Sequence, residues 1–590
     1  MRSVCVALLA LAGAGSVWAA ELPTVIIDPG GVPPAALKAI NEAVEAITRL
    51  AVDQDGGEVS RLRRRAHQAT LSALETQGYF SPVVTLEVGK DVGGETWDII
   101  IKPGERTLVR DVDIQFSGRI TDSVFSDRIH DLREEWSLKP DMPFINSDWS
   151  TAKERLLYDV SRKDFYFARY ANTRAAIMAD DARADLSVAV KSGPPVQLGA
   201  LHVEGLSRVP RKLVERYVTY KEGDPYDQER LDEWQQDLAD TFFFRGAFVT
   251  LDEDDQNQKV TADGAMQLPV RVQVTEGAAR SGSHSIGVDS DHGVRVEGLY
   301  RQNVVFGQPV RLETGAGIDR KRQRGFFDIH LPPSRHGYRD SVGMLATNSN
   351  IEGVRNTRAG LGWTRTQERK AAGNSRVDYR TRLGVVLAYD KTRYKGAEEF
   401  KVPTLVTTWQ WLRRDVDDIY DPRDGNLIEV GLGAGVTLDR REPFYRSHVR
   451  AQKWWPIGRD DVLTVRGEVG KVWSDTHRLP EDFGYRTGGS RSIRGYRYKS
   501  IGERRGSATV GAHAMGLISV EYSYFFTPEL GMNIFVDAGD AAPSFKQMRW
   551  HVGYGLGVTY RTPAGPFSVD LAYGQRDKRV RLHFSLGIAF

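Results

Sequence analysis

The sequence predicts a composite fold: α+β repeats in series over the first half, then a transmembrane antiparallel β-barrel of about sixteen strands. Three observations carry that expectation. An export-type N-terminus is followed by no cysteine and by no run of apolar residues long enough for a membrane helix. A pattern of strand, helices, Gly-aromatic turn and closing strand recurs three times between about residues 22 and 277. From Ser281 onward the helical period gives way to apolar/polar alternation with a period of two.

At the N-terminus Arg2 supplies a positive charge, "VCVALLALAGAG" an apolar run, and "SVWAAE" the small residues of a cleavage site. Residues 1–19 therefore read as a secretory signal peptide. Cys5 is the single cysteine and lies inside that segment, so the rest of the chain offers no disulfide, thiol nucleophile or thiolate metal site. Lys+Arg is 80 and Asp+Glu is 78, a balance that gives no electrostatic reason to expect nucleic acid as a partner. The mean hydropathy of −0.41 suits a water-soluble chain, and a barrel whose strands are half polar gives the same average.

The repeated units are expected over residues 22–104, 105–193 and 194–277, with closing strands that end at Gly104, Gly193 and Gly277. Their turns are "TQGYFSPVV" at Gly78, "SRKDFYFARY" at Asp164 and "FFFRGAFVT" at Gly246. Before the first turn, Leu62, Ala66, Ala69 and Ala73 form a helical stripe; before the third, Leu231, Trp234 and Leu238 do so. Gly78 and Gly246 are expected to end helices in left-handed backbone, and Asp164 is among the few residue types that tolerate that conformation. Order and spacing resemble POTRA domains, the periplasmic modules of outer-membrane assembly and secretion proteins. The basic run at Arg61 and Arg63 to Arg65 reads as a solvated helix face.

The barrel is expected over residues 278–590. In "LISVEYSYFF", "VGYGLGVTYR", "FSVDLAYG" and "LHFSLGIAF" one parity is apolar and aromatic, and the other carries Ser, Gly, Thr, Glu521, Asp570 and His583. An apolar outer face with aromatics at strand ends suits a bilayer, and the charged, glycine-rich face suits a wet lumen. Strand-like segments start near Ser281, His292, Gln308, Gln323, Arg339, Arg355, Ser375, Lys401, Asn426, Phe444, Asp461, Leu517, Gly531, Val552, Phe567 and Val580. Their number is even, and closure would remove the unpaired edges that lipid forbids.

The longest gap without a strand pattern, about 475–516, holds "GGSRSIRGYRY". It has neither the lysine nor the helix of a phosphate loop, and Arg497 departs from the RNA-binding aromatic signature it superficially echoes. The remaining specific reading is a long inward loop that carries a cation, which needs a carboxylate partner on the wall. In "NIFVDAGD" the residues Asn533, Phe535, Asp537 and Gly539 share the inner face, and Asp537 can accept a bidentate arginine fork. Glu521 and Asp570 compete for the role.

"SIRGY", which contains Ile493, Arg494, Gly495 and Tyr496, resembles the [VI]-R-G-[FY] loop motif of the superfamily that includes BamA, TamA and the two-partner secretion transporters. "FVDAG", Phe535 to Gly539, is similar to that superfamily's F-x-D-x-G strand motif, and Phe584, Leu586, Ile588 and Phe590 read as its C-terminal strand signal. The resemblance implies an outer-membrane protein with periplasmic N-terminal domains that inserts β-barrels or passes polypeptides across the membrane. It implies client capture by strand addition and a weak seam between about Ser281–Asp291 and Val580–Phe590. Three units resemble the TamA family, which implies an inner-membrane-anchored, periplasm-spanning TamB-like partner, unfolded outer-membrane or autotransporter clients, and contact with outer-membrane lipid. A dedicated two-partner secretion pore and a core BamA-like assembly protein stay open as alternatives. No catalytic residue, metal or cofactor is expected, because neither a G-x-S-x-G elbow nor an H-E-x-x-H cluster is present.

Overall fold

A computed structural model describes residues 23–586 apart from 52–55, 92–93, 255–257, 336, 372, 398, 477 and 563–564. The expected signal peptide, and Ile588 and Phe590 of the C-terminal strand signal, lie outside the described residues. The chain forms two compact units. One comprises residues up to 202 with 220–232 and 250–271; the other comprises 203–219, 233–249 and everything from 272 on.

The N-terminal modules share one topology: strand, two principal helices, then a hairpin whose second strand takes the centre of the sheet. In the first module Thr24–Asp28 lies parallel to the central Gly94–Lys102, and Val83–Asp91 lies antiparallel to it. In the second, Leu108–Ser117 and Arg169–Met178 flank Arg183–Lys191 in the same way. A parallel pair needs a crossover, and the helices supply it. Helices Pro34–Thr48 and Gly56–Thr76 bury Ile40, Leu62, Ala66 and Leu74 against Trp97, Ile99 and Ile101. Helix Asn146–Ser161 buries Trp149 and Leu156 against Leu186, Val188 and Val190. The third sheet repeats the order, with Met266–Glu276 between Val196–Glu204 and Phe244–Leu251.

At each turn a backbone carbonyl takes an N–H from the segment that follows. Gly78 O accepts the Thr107 N–H at 2.8 Å, and Asp164 O accepts the Val196 N–H at 2.7 Å. Phe243 O accepts the Gly277 N–H at 2.8 Å, just ahead of the barrel. Gly78 and Asp164 are left-handed, with φ of 89° and 63°. The third position was expected at Gly246, and the structure corrects it to Phe243. Gly246 lies within Phe244–Leu251, and a Cβ added there would meet nothing within 4 Å, so neither turn nor crowding requires a glycine. The aspartate at the second turn has a physical reason. Its carboxylate takes Arg128 Nη1 at 2.9 Å, while Nη2 of that arginine donates to the open carbonyls of Asp159, Val160 and Lys163 at the helix end.

The second half is a sixteen-stranded antiparallel sheet in strict sequence order, from Arg280–Asp289 to Arg579–Leu586. The sixteen expected segments correspond one to one with its strands. Outward residues such as Ile534, Val536, Leu556 and Val558 are exposed, whereas Asn533, Phe535 and Asp537 between them are buried. Among the described residues no ladder joins the first strand to the last. At that seam the Ser290 N–H donates to Phe584 O at 3.3 Å.

Just before the first barrel strand, Glu276 accepts the N–H groups of Ser207, Arg208 and Val209, each at 2.8 Å. Burial acts to raise its pKa, but these bonds outweigh it and hold the carboxyl at about 2. A depressed carboxyl pKa stabilises above its ordinary value of 4.5 and loses that contribution as pH falls through about 2. Amide exchange at Ser207–Val209, corrected for intrinsic rates, should therefore lose protection over that window. Glu276→Ala should be unprotected at every pH.

Candidate functional site

The long connection between barrel strands Asp461–Ser474 and Ala514–Phe525 folds into the barrel interior and carries a small hairpin, Glu503–Arg505 with Ala508–Val510. Its leading part is tied to one wall. Arg358 Nη1 donates to Asp482 at 2.5 Å, Ser349 Oγ donates to Glu481 at 3.0 Å, and Tyr485 OH donates to Ser447 O at 2.6 Å. Sequence reasoning missed these anchors, because nothing local separates a lumenal carboxylate from a solvent-facing one.

The Ile493–Tyr496 motif reaches the strands that end the sheet. Arg494 is 7 % exposed and Asp537 0 %. The Arg494 Nε and Nη2 groups donate to the two oxygens of Asp537 at 2.8 and 3.0 Å, the bidentate fork. The Arg494 backbone N–H adds a third bond to Asp537 at 3.0 Å. Nη1 donates to Glu521 at 2.5 Å and to Asp570 at 3.2 Å. All three candidate carboxylates therefore meet the one guanidinium rather than competing for it. The ring of Phe535 lies 3.4 Å beneath the guanidinium carbon. Around them Ser519 Oγ donates to Asp537 at 2.7 Å and Asn533 Nδ2 to Asp570 at 2.9 Å, which fixes the carboxylates that receive the fork.

The glycines on this face do a different job from the one expected. They were read as part of a wet lumen, yet they make room for the loop. A Cβ on Gly553 would collide with Arg494 O, and one on Gly574 would sit 2.6 Å from Gly495 O. Gly539 faces Ile493, whose Cδ1 would lie 3.1 Å from an added Cβ. Gly495 itself has φ of 89°, and its own Cβ would lie 2.7 Å from Gly574 N. Backbone lies on backbone, so glycine is required on both sides. Phe584 and Leu586 sit on the last strand, in register with Val569 and Phe567.

Tandem modules, a sixteen-stranded barrel with an apolar exterior, and an arginine loop locked to the inner wall define a class: outer-membrane β-barrel proteins with periplasmic N-terminal domains. Comparison with known proteins agrees. Residues 299–590 match the Omp85 superfamily domain. This barrel region belongs to the Omp85 superfamily. It is 22% identical over 550 residues to the outer membrane protein assembly factor BamA of Nitratidesulfovibrio vulgaris, covering 90% of this chain and 68% of that one. The crystal structure of Haemophilus ducreyi BamA lacking POTRA domains 1–3 superposes with a TM-score of 0.65 at 15% identity, over 81% of this chain and 99% of that one. CdiB from Escherichia coli gives a TM-score of 0.45 at 12% identity, over 94% of this chain and 99% of its own.

Arg494→Ala strands three carboxylates around an emptied site and should weaken loop docking by about 3–5 kcal/mol. The readout is faster proteolysis within 475–513 in a barrel that still migrates as folded. The swap Arg494→Asp with Asp537→Arg should not restore protection, because the new aspartate would face Glu521 and Asp570.

Proposed function

We propose that the protein is an outer-membrane assembly or translocation factor that helps insert or secrete β-barrel or autotransporter-type clients. Three POTRA-like modules, over 22–104, 105–193 and 194–277, receive the client in the periplasm. The barrel over 278–590 passes it toward lipid through the seam. Ile493 to Tyr496 act as the lumenal strut, with Phe535, Asp537, Gly539, Glu521 and Asp570 as its wall partners. Phe584, Leu586, Ile588 and Phe590 form the C-terminal strand signal. The observation that carries this reading is a barrel whose neighbouring strands are joined by ladders while, among the described residues, the first and last strands meet through a single backbone bond, because lateral release needs one weak joint in an otherwise closed sheet. Similarity to a curated assembly factor over 90% of the chain supports it.

The modules offer edges for strand addition. Val83 and Val88 are exposed on the edge strand Val83–Asp91, and Phe248 is 62 % exposed on Phe244–Leu251. Three modules favour a TamA-like role with a TamB-like periplasm-spanning partner over a five-module core assembly protein. Photocrosslinkers at Arg65 and Phe248, followed by recovery from outer membranes, test this. A long periplasm-spanning partner is the expected product. Small lipoproteins with many nascent barrels would overturn the TamB assignment in favour of core assembly, and a single secreted client would indicate a dedicated pore.

A further inference from the structure

The inward loop touches both sides of the seam with residues only a few positions apart. On the first side, Asp291 follows the first barrel strand directly and is 6 % exposed. Its carboxylate accepts the Ser490 N–H at 3.0 Å and the Ser490 hydroxyl at 2.7 Å. The ring of the adjacent His292 packs on Tyr498, with centroids 4.7 Å apart. On the other side, the last strand binds both backbone polar groups of one residue, Gly495. The Gly495 N–H donates to His583 Nε2 at 2.9 Å, and Arg581 Nε donates to Gly495 O at 3.0 Å. Because an amide donates to Nε2, the imidazole is neutral there. Arg581 and His583 stand two positions apart on one strand, so both reach inward to the same glycine. Tyr496 OH accepts the Arg576 N–H from the last hairpin at 3.1 Å and donates to Val552 O at 3.1 Å.

We propose that this loop segment is a clasp across the seam, with Asp291 as its releasable half and Arg581 and His583 as its fixed half. The division follows from Arg494. Its three carboxylates sit on strands Ala514–Phe525, Leu530–Ala542 and Gly565–Gly574, all on the last-strand side. The motif therefore stays with the C-terminal strands when the sheet parts, and the first strand leaves by breaking its bonds to Ser490. Where backbone pairing between first and last strands is sparse, charge-assisted bonds to Asp291 take over the work of a ladder. The clasp deepens the assembly reading by naming what holds its exit shut, and its geometry does not depend on that reading.

The test is the distance across the seam in lipid nanodiscs, without any client, read by pulsed electron resonance between spin labels on Ile286→Cys and Leu582→Cys. Both positions are exposed on the outer face, at 81 % and 58 %. Asp291→Ala should add a population longer by about 5 Å or more, one inter-strand spacing. His583→Leu, in the half that Arg494 also holds, should lengthen the distance less than Asp291→Ala does, and His583→Gln, which keeps an acceptor, should restore the single short distance. Arg358→Ala removes a mostly buried cation that pairs with Asp390 and Asp482 on the far wall and should leave the distance unchanged. An unchanged distance in Asp291→Ala overturns the clasp, as does equal lengthening in Arg358→Ala. Should Asp291→Ala fail to fold, Ser490→Ala removes only the hydroxyl bond and should give a smaller shift in the same direction. Because no client is present, failure of the clasp and failure of the assembly function are separable results.

Discussion

One buried guanidinium organises the barrel interior. An arginine taken out of water is tolerated only where carboxylates and their supporting hydrogen bonds replace its hydration. Arg494 obtains that replacement from three strands at once, and the backbone N–H of the same residue adds a bond to Asp537. Much else on this wall follows. The loop backbone must lie flat against the sheet, so Gly553, Gly574 and Gly495 have no room for side chains. Phe535 stacks beneath the cation, and Asn533 and Ser519 orient the acids. A motif that looks like a basic loop in sequence is therefore a strut whose charge is neutralised by the wall it rests on.

The same strut explains how a membrane sheet can tolerate an imperfect closure. Lipid forbids unsatisfied backbone groups, so a seam with no ladder among its described residues gains from contacts made on the inner side. The loop lies against that seam from inside, with its carboxylate partner in the turn after the first strand and its imidazole and guanidinium partners on the last strand. The hairpin end of the first strand is held by the Asp291 side chain and one backbone bond from Ser290, which can let go singly. The other adjacent strands are held by ladders that part only as a whole.

Much of this was legible in the sequence, and the exceptions are instructive. Strand positions followed from period-two alternation, because a barrel wall with lipid outside fixes parity strongly. Asp537 was legible for the same reason: it shares its face with Asn533 and Phe535 while Ile534 and Val536 point outward. The joint role of Glu521 and Asp570 was not, because parity says which way a side chain points and not which strands converge on one atom. The glycines were legible as inward residues but not as contact surfaces, since close backbone approach is a property of two segments far apart in sequence. Asp291, Arg581 and His583 escaped for that reason too. In the modules the repeat was visible, but the third turn was placed on Gly246 because glycine is the usual mark of a turn. The corresponding backbone bond is made by Phe243, whose carbonyl needs no special conformation.

The central claim is that Arg494 and its wall carboxylates act as a coupled unit that fixes the loop. A double-mutant cycle on Arg494→Ala and Asp537→Ala, read as the free energy of loop opening from amide exchange, measures that coupling directly. The account predicts a coupling of about 3 kcal/mol, with the double variant little worse than either single one. Additive losses with coupling near zero would contradict it, and would mean that the loop is held by its other contacts while Arg494 merely rests among the acids.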